Sequence, residues 1–183
     1  MKPNGESGCH REAYAKSVTP ERIVRDYSDG LVRYAYSIVR DSALAEDAAA
    51  DVIAAIFIKN RRFSTEEGLK AYLYRATHNR CIDFLRRRRR EQPLEDLENV
   101  LYSAGPEQNY ALTERNEALY RCLQKIPAQY REILILLYME AFSAEQASVI
   151  LKKNRKQVYN LAARAKDALR AELQLEGISY EIL

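Results

Sequence analysis

The chain has 183 residues, 47% of them hydrophobic and 30% charged, with a net charge of only +3. That length holds one medium domain or two small ones, and a composition of this kind excludes a disordered chain. Glycine (6) and proline (5) are sparse, Ala, Leu, Arg and Glu recur at helical spacing and strand signals are weak, so the expected fold is all-α.

Residues 1–18 read as a polar N-terminal tail without the apolar core of a signal peptide. The longest apolar runs, 52–58 and 133–139, have seven residues. A membrane span needs roughly 20, so no membrane insertion and a cytoplasmic location are expected. Cys9, Cys81 and Cys122 are widely spaced and form no C-x-x-C pair, which suits reduced thiols. Cys9-His10 has no second ligand pair and His78 stands alone, so no metal site and no cofactor are expected.

The first domain is placed at 19–90. Residues 20–40 read as a helix, with Ile23, Tyr27, Leu31, Tyr34, Ala35 and Ile38 at three- and four-residue spacing. Asp41-Ser42 breaks it and caps the next helix, 43–60. That second helix is acidic early (Glu46, Asp47, Asp51), as the helix dipole favours, and apolar late (Ile53, Ile56, Phe57). Residues 60–68 read as a polar loop holding Phe63, Ser64 and Thr65. A third helix runs from Leu69 to about Arg90 and ends in five consecutive arginines, Arg86 to Arg90. Such a run repels itself and seeks phosphate; a targeting signal or a solvated helix end is the plainer alternative.

On this third helix Tyr72, Arg75, Asn79, Ile82, Asp83 and Arg86 fall within a stripe about 100° wide, beside a core stripe of Leu69, Leu73, Ala76 and Phe84. A face mixing Tyr, Arg and Asn suits unstacked bases, because aromatic and guanidinium planes stack on them and Asn reads an edge. Packing against a neighbouring helix is an equal alternative for Tyr72 and for Tyr74.

Residues 91–112 read as a linker, with Gln92-Pro93 and Gly105-Pro106 as breakers. Charge alternates along the chain. Residues 19–90 carry fifteen Lys/Arg and ten Asp/Glu, residues 91–117 one and seven, residues 118–173 ten and five. Two basic lobes around an acidic connector suggest two nucleic-acid contacts and a linker that stays off the phosphates.

The second domain is placed at 113–173, followed by a tail, 174–183. Residues 142–151 read as a short helix, Lys152-Lys153-Asn154 as a turn and 155–170 as a second helix. Two short helices around a tight turn are the skeleton of a helix-turn-helix, whose second helix enters a DNA major groove. Val158, Leu161, Ala162, Ala165 and Leu169 form its core stripe. Lys156 and Asn160 lie opposite, with Gln157, Tyr159 and Arg164 on the flanks and Arg155 at the start. These side chains suit base edges and phosphates. Asn154 stands where an N-cap is wanted. Taken alone, an ordinary basic surface helix accounts for the pattern equally well.

Together these segments carry a family resemblance. Leu69-Lys70-Ala71-Tyr72-Leu73-Tyr74-Arg75-Ala76-Thr77-His78-Asn79-Arg80-Cys81-Ile82-Asp83-Phe84-Leu85-Arg86-Arg87 resembles the promoter-melting segment of bacterial RNA polymerase sigma factors of the sigma-70 family, in the small extracytoplasmic-function (ECF) group. Ala45-Glu46-Asp47-Ala48-Ala49-Ala50-Asp51-Val52-Ile53 resembles the segment that binds core RNA polymerase. Ile126-Pro127-Ala128-Gln129-Tyr130-Arg131-Glu132-Ile133-Leu134 resembles the opening of the second domain. Order and spacing match over roughly residues 20–173.

The resemblance implies two small helical domains joined by a linker, the second a helix-turn-helix. It implies a transcription initiation subunit, not an enzyme, that binds core RNA polymerase and promoter DNA as a monomer under a separate anti-sigma factor. Asp47, Asp51, Ile53 and Phe57 would meet polymerase. Tyr72, Arg75, Asn79, Arg80, Arg86 and Arg87, with the 60–68 loop, would hold the opened −10 element. Arg155, Lys156, Gln157, Tyr159, Asn160 and Arg164 would read the −35 duplex. The acidic linker would run through polymerase toward the RNA exit path.

The chain departs from the pattern in places. Ala50 stands for a usual Gln, Ile53 for Phe and Phe57 for Trp, which is expected to soften polymerase contact. The turn before the recognition helix lacks its usual Gly, so Asn154 is left to supply either the left-handed conformation or the cap. Tyr159-Asn160-Leu161 replaces a usual Lys-Ser-Arg, so no −35 sequence carries over. A helix-turn-helix regulator that does not bind core polymerase is the alternative function. It would not need the Tyr72/Arg75/Asn79 stripe. An enzyme would need carboxylates or His converging on a metal or nucleophile, and no such cluster accompanies Glu46, Asp47 and Asp51.

Overall fold

The computed structural model describes residues 18–91 and 114–178, which fall in two compact units. Most of the expected tails, 1–17 and 179–183, and the acidic linker with its breakers lie outside the described residues. Among the described residues there are seven helices and no strand, so the all-α expectation holds.

The first unit holds α1 (Pro20–Val39), α2 (Ser42–Ile58) and α3 (Glu66–Glu91). Thr19 caps α1, its side-chain oxygen accepting the Arg22 N–H at 3.3 Å, and Pro20 follows at the first helical position, where its missing N–H costs nothing. All six expected α1 core residues are buried. Asp41 caps α2 by accepting the Leu44 N–H at 3.1 Å. The buried face of α2 is half alanine (Ala45, Ala48, Ala49), with Val52, Ile53 and Ile56, and the small side chains let α1 and α3 approach closely.

Helix α3 begins three residues before its expected start at Leu69. Thr65 caps it, with Oγ1 accepting the Gly68 N–H at 3.1 Å, and a Cβ at Gly68 would meet that oxygen at 3.2 Å. The last residue of the expected loop, Gly68, is thus part of the cap. Glu66 and Glu67 fall in the first turn, and Glu66 accepts from the Tyr27 hydroxyl at 3.1 Å, tying α3 to α1. The buried stripe of α3 is Leu69, Leu73, Tyr74, Thr77 and Cys81. Ala76 and Phe84, expected in the core, are only half-buried, one position round from it.

The second unit holds α4 (Glu114–Lys125), α5 (Ala128–Leu134), α6 (Ala144–Leu151) and α7 (Arg155–Leu175). Helix α7 is the hub against which α4, α5 and α6 pack. Helix α5 runs on into one wide turn over Ile135–Met139. There the Glu140 N–H reaches the Ile135 carbonyl at 2.9 Å, and Ala141 takes φ 55°. This turn keeps Ile135 and Leu136 inward while Tyr138 and Met139 face out. Arg131 is buried, its guanidinium donating to the carbonyls of Leu123, Gln124 and Ile126 at 3.1, 3.2 and 3.4 Å. It thereby satisfies the open end of α4.

Helix α7 continues five residues past the expected end at Arg170. Leu173 extends the buried series Val158, Ala162, Ala165 and Leu169 by one turn, and Gly177 at φ 70° then ends the helix. The Gly177 and Ile178 N–H groups close the last turn on the carbonyls of Gln174 and Leu173. Leu161, expected in that stripe, lies at its half-buried edge.

Candidate nucleic-acid interface

In the first unit α2 and α3 flank a groove of about 680 Å³. Tyr72, Arg75, Asn79 and Arg80 line it from α3, Asp51 and Ala55 from α2, and Lys59 and Arg61 from the connecting loop. The structure therefore gathers four of the six expected −10 residues into one concave wall. Arg86 and Arg87 are exposed further along α3 and do not line the groove. Arg86 lies 3.8 Å from Asp83.

The two tyrosines separate. Tyr74 is 1% exposed and stacks on Tyr34 with ring centroids 5.2 Å apart, so it is a core residue. Tyr72 is half-buried at the groove, with the Phe63 ring at 5.2 Å and the Arg61 guanidinium 4.9 Å over its face. The result is an aromatic platform with a cation beside it, a surface on which a base can stack. Sequence reasoning named the loop but missed Lys59 and Arg61; cations flanking Phe63 were the available signal.

The expected polymerase residues do not all face one way. Asp47 and Asp51 are exposed on α2, and Phe57 is 36% exposed near its end. Ile53, expected at the polymerase contact, is 8% exposed and packs inside the core of the unit, so little of its side chain is presented on the surface. Ile58, 81% exposed beside Phe57, is the apolar side chain that the reading overlooked. Asp51 also accepts a hydrogen bond from Arg80 of α3, and the Arg80 guanidinium lies 4.4 Å over the Phe84 ring. One residue assigned to polymerase and one assigned to DNA are therefore each other's partner.

In the second unit α6 and α7 form the expected helix-turn-helix. Both helices start on capping boxes, Ser143 with Gln146 and Asn154 with Gln157. Of the two roles open to Asn154, it takes the cap, at φ −78°, and Lys152 supplies the left-handed turn at φ 53°. Arg155, Lys156, Gln157, Tyr159, Asn160 and Arg164 are all exposed on α7. Three are already engaged, Gln157, Arg155 and the Tyr159 hydroxyl that bonds to Arg155. Gln157 Oε1 accepts the Asn154 N–H at 2.9 Å, which leaves its NH₂ for a ligand. Arg155 pairs with Glu145 of α6 at 2.8 Å, and its guanidinium is held above its usual range by Tyr159 and then Glu145.

Among the described residues no group of three or more His, Cys, Asp or Glu could hold a metal ion, and no helix is long and apolar enough to cross a membrane. Cys81 and Cys122 are buried and not in disulfides, the Cys81 thiol lies 3.9 Å from the Ala35 carbonyl, and burial pushes the Cys122 thiol up.

Residues 23–91 match the family model for Sigma-70 region 2, and residues 116–169 that for Sigma-70 region 4. RNA polymerase sigma factor SigV of Bacillus subtilis is 26% identical over 156 residues, spanning 85% of this chain and 92% of the relative. ECF RNA polymerase sigma factor SigM of the same organism is 25% identical over 165 residues, spanning 90% of this chain and 100% of the relative. Among solved structures, the sigma factor RpoE in complex with the anti-sigma factor NepR from Bartonella quintana has a TM-score of 0.67 at 24% identity, covering 84% of this chain and 96% of that one. That last likeness is one of fold. With both regions matched in order over two helical units, the chain belongs to the sigma-70 family of RNA polymerase sigma factors, in its ECF group.

Proposed function

We propose that this chain is the subunit that brings core RNA polymerase to promoters and starts transcription there. The observation that carries the reading is the groove of the first unit, where Tyr72, Arg75 and Asn79 converge, in the same chain as an exposed polar recognition helix. A repressor or activator needs the second feature only. Asp47, Asp51 and Phe57 of α2 dock on polymerase. The groove residues and Arg80 hold the opened −10 strand, and Arg86 and Arg87 meet its phosphates. Helix α7 lies in the −35 major groove with Arg155, Lys156, Tyr159, Asn160, Arg164 and the free amide of Gln157. The chain works in the cytoplasm as a monomer without catalysis, along the domain plan 19–90, 91–112 and 113–173. A separate anti-sigma protein restrains it. The relatives RpoE, bound to NepR, and CnrH, bound to the cytosolic domain of CnrY, support that partner.

The test is run-off transcription on genomic DNA with sigma-free core polymerase. Discrete transcripts that require the chain are expected, and their aligned upstream sequences will supply both promoter elements. A chain that binds duplex DNA yet neither binds core nor starts transcripts is a helix-turn-helix regulator instead.

A further inference from the structure

The Asp51–Arg80 pair spans α2 and α3 at the groove, and its side chains keep 51% and 33% of their exposure, so a partner can reach each of them. The Arg80 guanidinium lies over the Phe84 ring, with its Nε buried and without a hydrogen-bond partner. It is a cation held in place at the groove wall, with part of its donor capacity spent on a carboxylate. A phosphate or base edge competes with Asp51 for those donors, and a cationic partner surface competes with Arg80 for that carboxylate.

We propose that Asp51 and Arg80 form a clasp that couples the two binding events of the first unit. A partner that engages Asp51 releases Arg80 to nucleic acid, and a strand that takes Arg80 frees Asp51 for the partner. Such coupling is reciprocal by linkage. The inference rests on the groove being the DNA face and on Asp51 meeting polymerase. Because the pair is partly exposed, the coupling is modest, about two- to fivefold in affinity.

The experiment uses the full chain without polymerase, titrated onto a fluorescent single-stranded oligonucleotide at low salt. Asp51→Asn binds about two- to fivefold tighter than wild type. Asp29→Asn makes the same charge change at an exposed site of α1 outside the groove, and it matches wild type. In an Arg80→Gln background the gain from Asp51→Asn disappears. In the reverse arm, Arg80→Gln binds core polymerase tighter than wild type. Equal shifts for Asp51→Asn and Asp29→Asn overturn the clasp, as does a gain that survives without Arg80 or no detectable binding by Asp51→Asn. Arg75→Ala separates the two readings. If it binds like wild type, the groove is not the DNA face; if it weakens binding while Asp51→Asn equals Asp29→Asn, only the clasp fails.

Discussion

Tyr72 and Tyr74 are two residues apart and have opposite fates. Tyr74 is sealed against Tyr34, so Tyr74→Ala removes a core ring and should cost about 3–5 kcal/mol of stability, read by denaturant unfolding. Tyr72→Ala, which loses only the Phe63 and Arg61 contacts, should cost less stability, about 1–2 kcal/mol, and weaken capture of an opened −10 strand by about 1–3 kcal/mol, the worth of one base stack. If the two variants change places in these assays, the groove is assigned to the wrong face. Arg131 illustrates the other extreme of side-chain use. It is 2% exposed, and its charge is spent on three backbone carbonyls at the end of α4. Arg131→Met should therefore destabilise the second unit by about 2–4 kcal/mol without touching the DNA face, because carbonyls left buried and unpaired lose their full hydration. The sequence marked Arg131 only as part of a family segment. Its destination could not be read, since an Arg beside Glu132 in a polar stretch is equally compatible with a solvated position.

Among the elements, the starts of α2 and α7 were the most legible. Asp41 and Asn154 were named as caps from sequence, and each accepts an N–H three residues on. Asn154→Ala should cost about 1 kcal/mol and loosen the start of the recognition helix, measured by thermal unfolding and by hydrogen exchange in the first turn of α7. Helix ends were less legible. The stretch from Ala171 to Leu175 contains no breaker, and α7 continues until Gly177, which brings Glu176 onto Lys125 of α4 at 2.6 Å. The Lys125 ammonium holds the Glu176 carboxyl below its ordinary value of 4.5, and Glu176 raises Lys125 above its ordinary 10.5. A depressed carboxyl stabilises above its unfolded pKa and ceases to do so as pH falls through the folded one. A raised ammonium stabilises below its unfolded pKa until pH rises through the folded one. The pair thus acts across the neutral range. Glu176→Gln should lower Tm slightly at neutral pH, and that difference should vanish in strong acid. A difference that persists there assigns the effect to packing.

For the whole molecule, the alternation of basic, acidic and basic segments is visible in composition, but only the folded units show which cations are available. Arg155 is partly engaged by Glu145, whereas Lys156 and Arg164 are exposed on α7 with no ion pair among the described residues. Binding of the second unit's recognition helix to duplex DNA should fall log-linearly with salt. Lys156→Ala or Arg164→Ala should each reduce the magnitude of that slope by about 0.9, one phosphate contact. An unchanged slope would remove that residue from the interface.

The sequence by itself determined that α1, α2, α3, α6 and α7 are helices, the caps at Asp41 and Asn154, the α1 core stripe and the turn between α6 and α7. Each of these is settled by contacts within about four residues, which periodicity and cap chemistry report directly. It also brought the family into view, since three segments in order need no coordinates. Tertiary packing alone decided the rest. Asp51 meets Arg80 across 29 residues of chain and Lys125 meets Glu176 across 51. Whether Ile53 or Tyr74 faces inward depends on how neighbouring helices roll against one another, and a single helix projection leaves that rotation free.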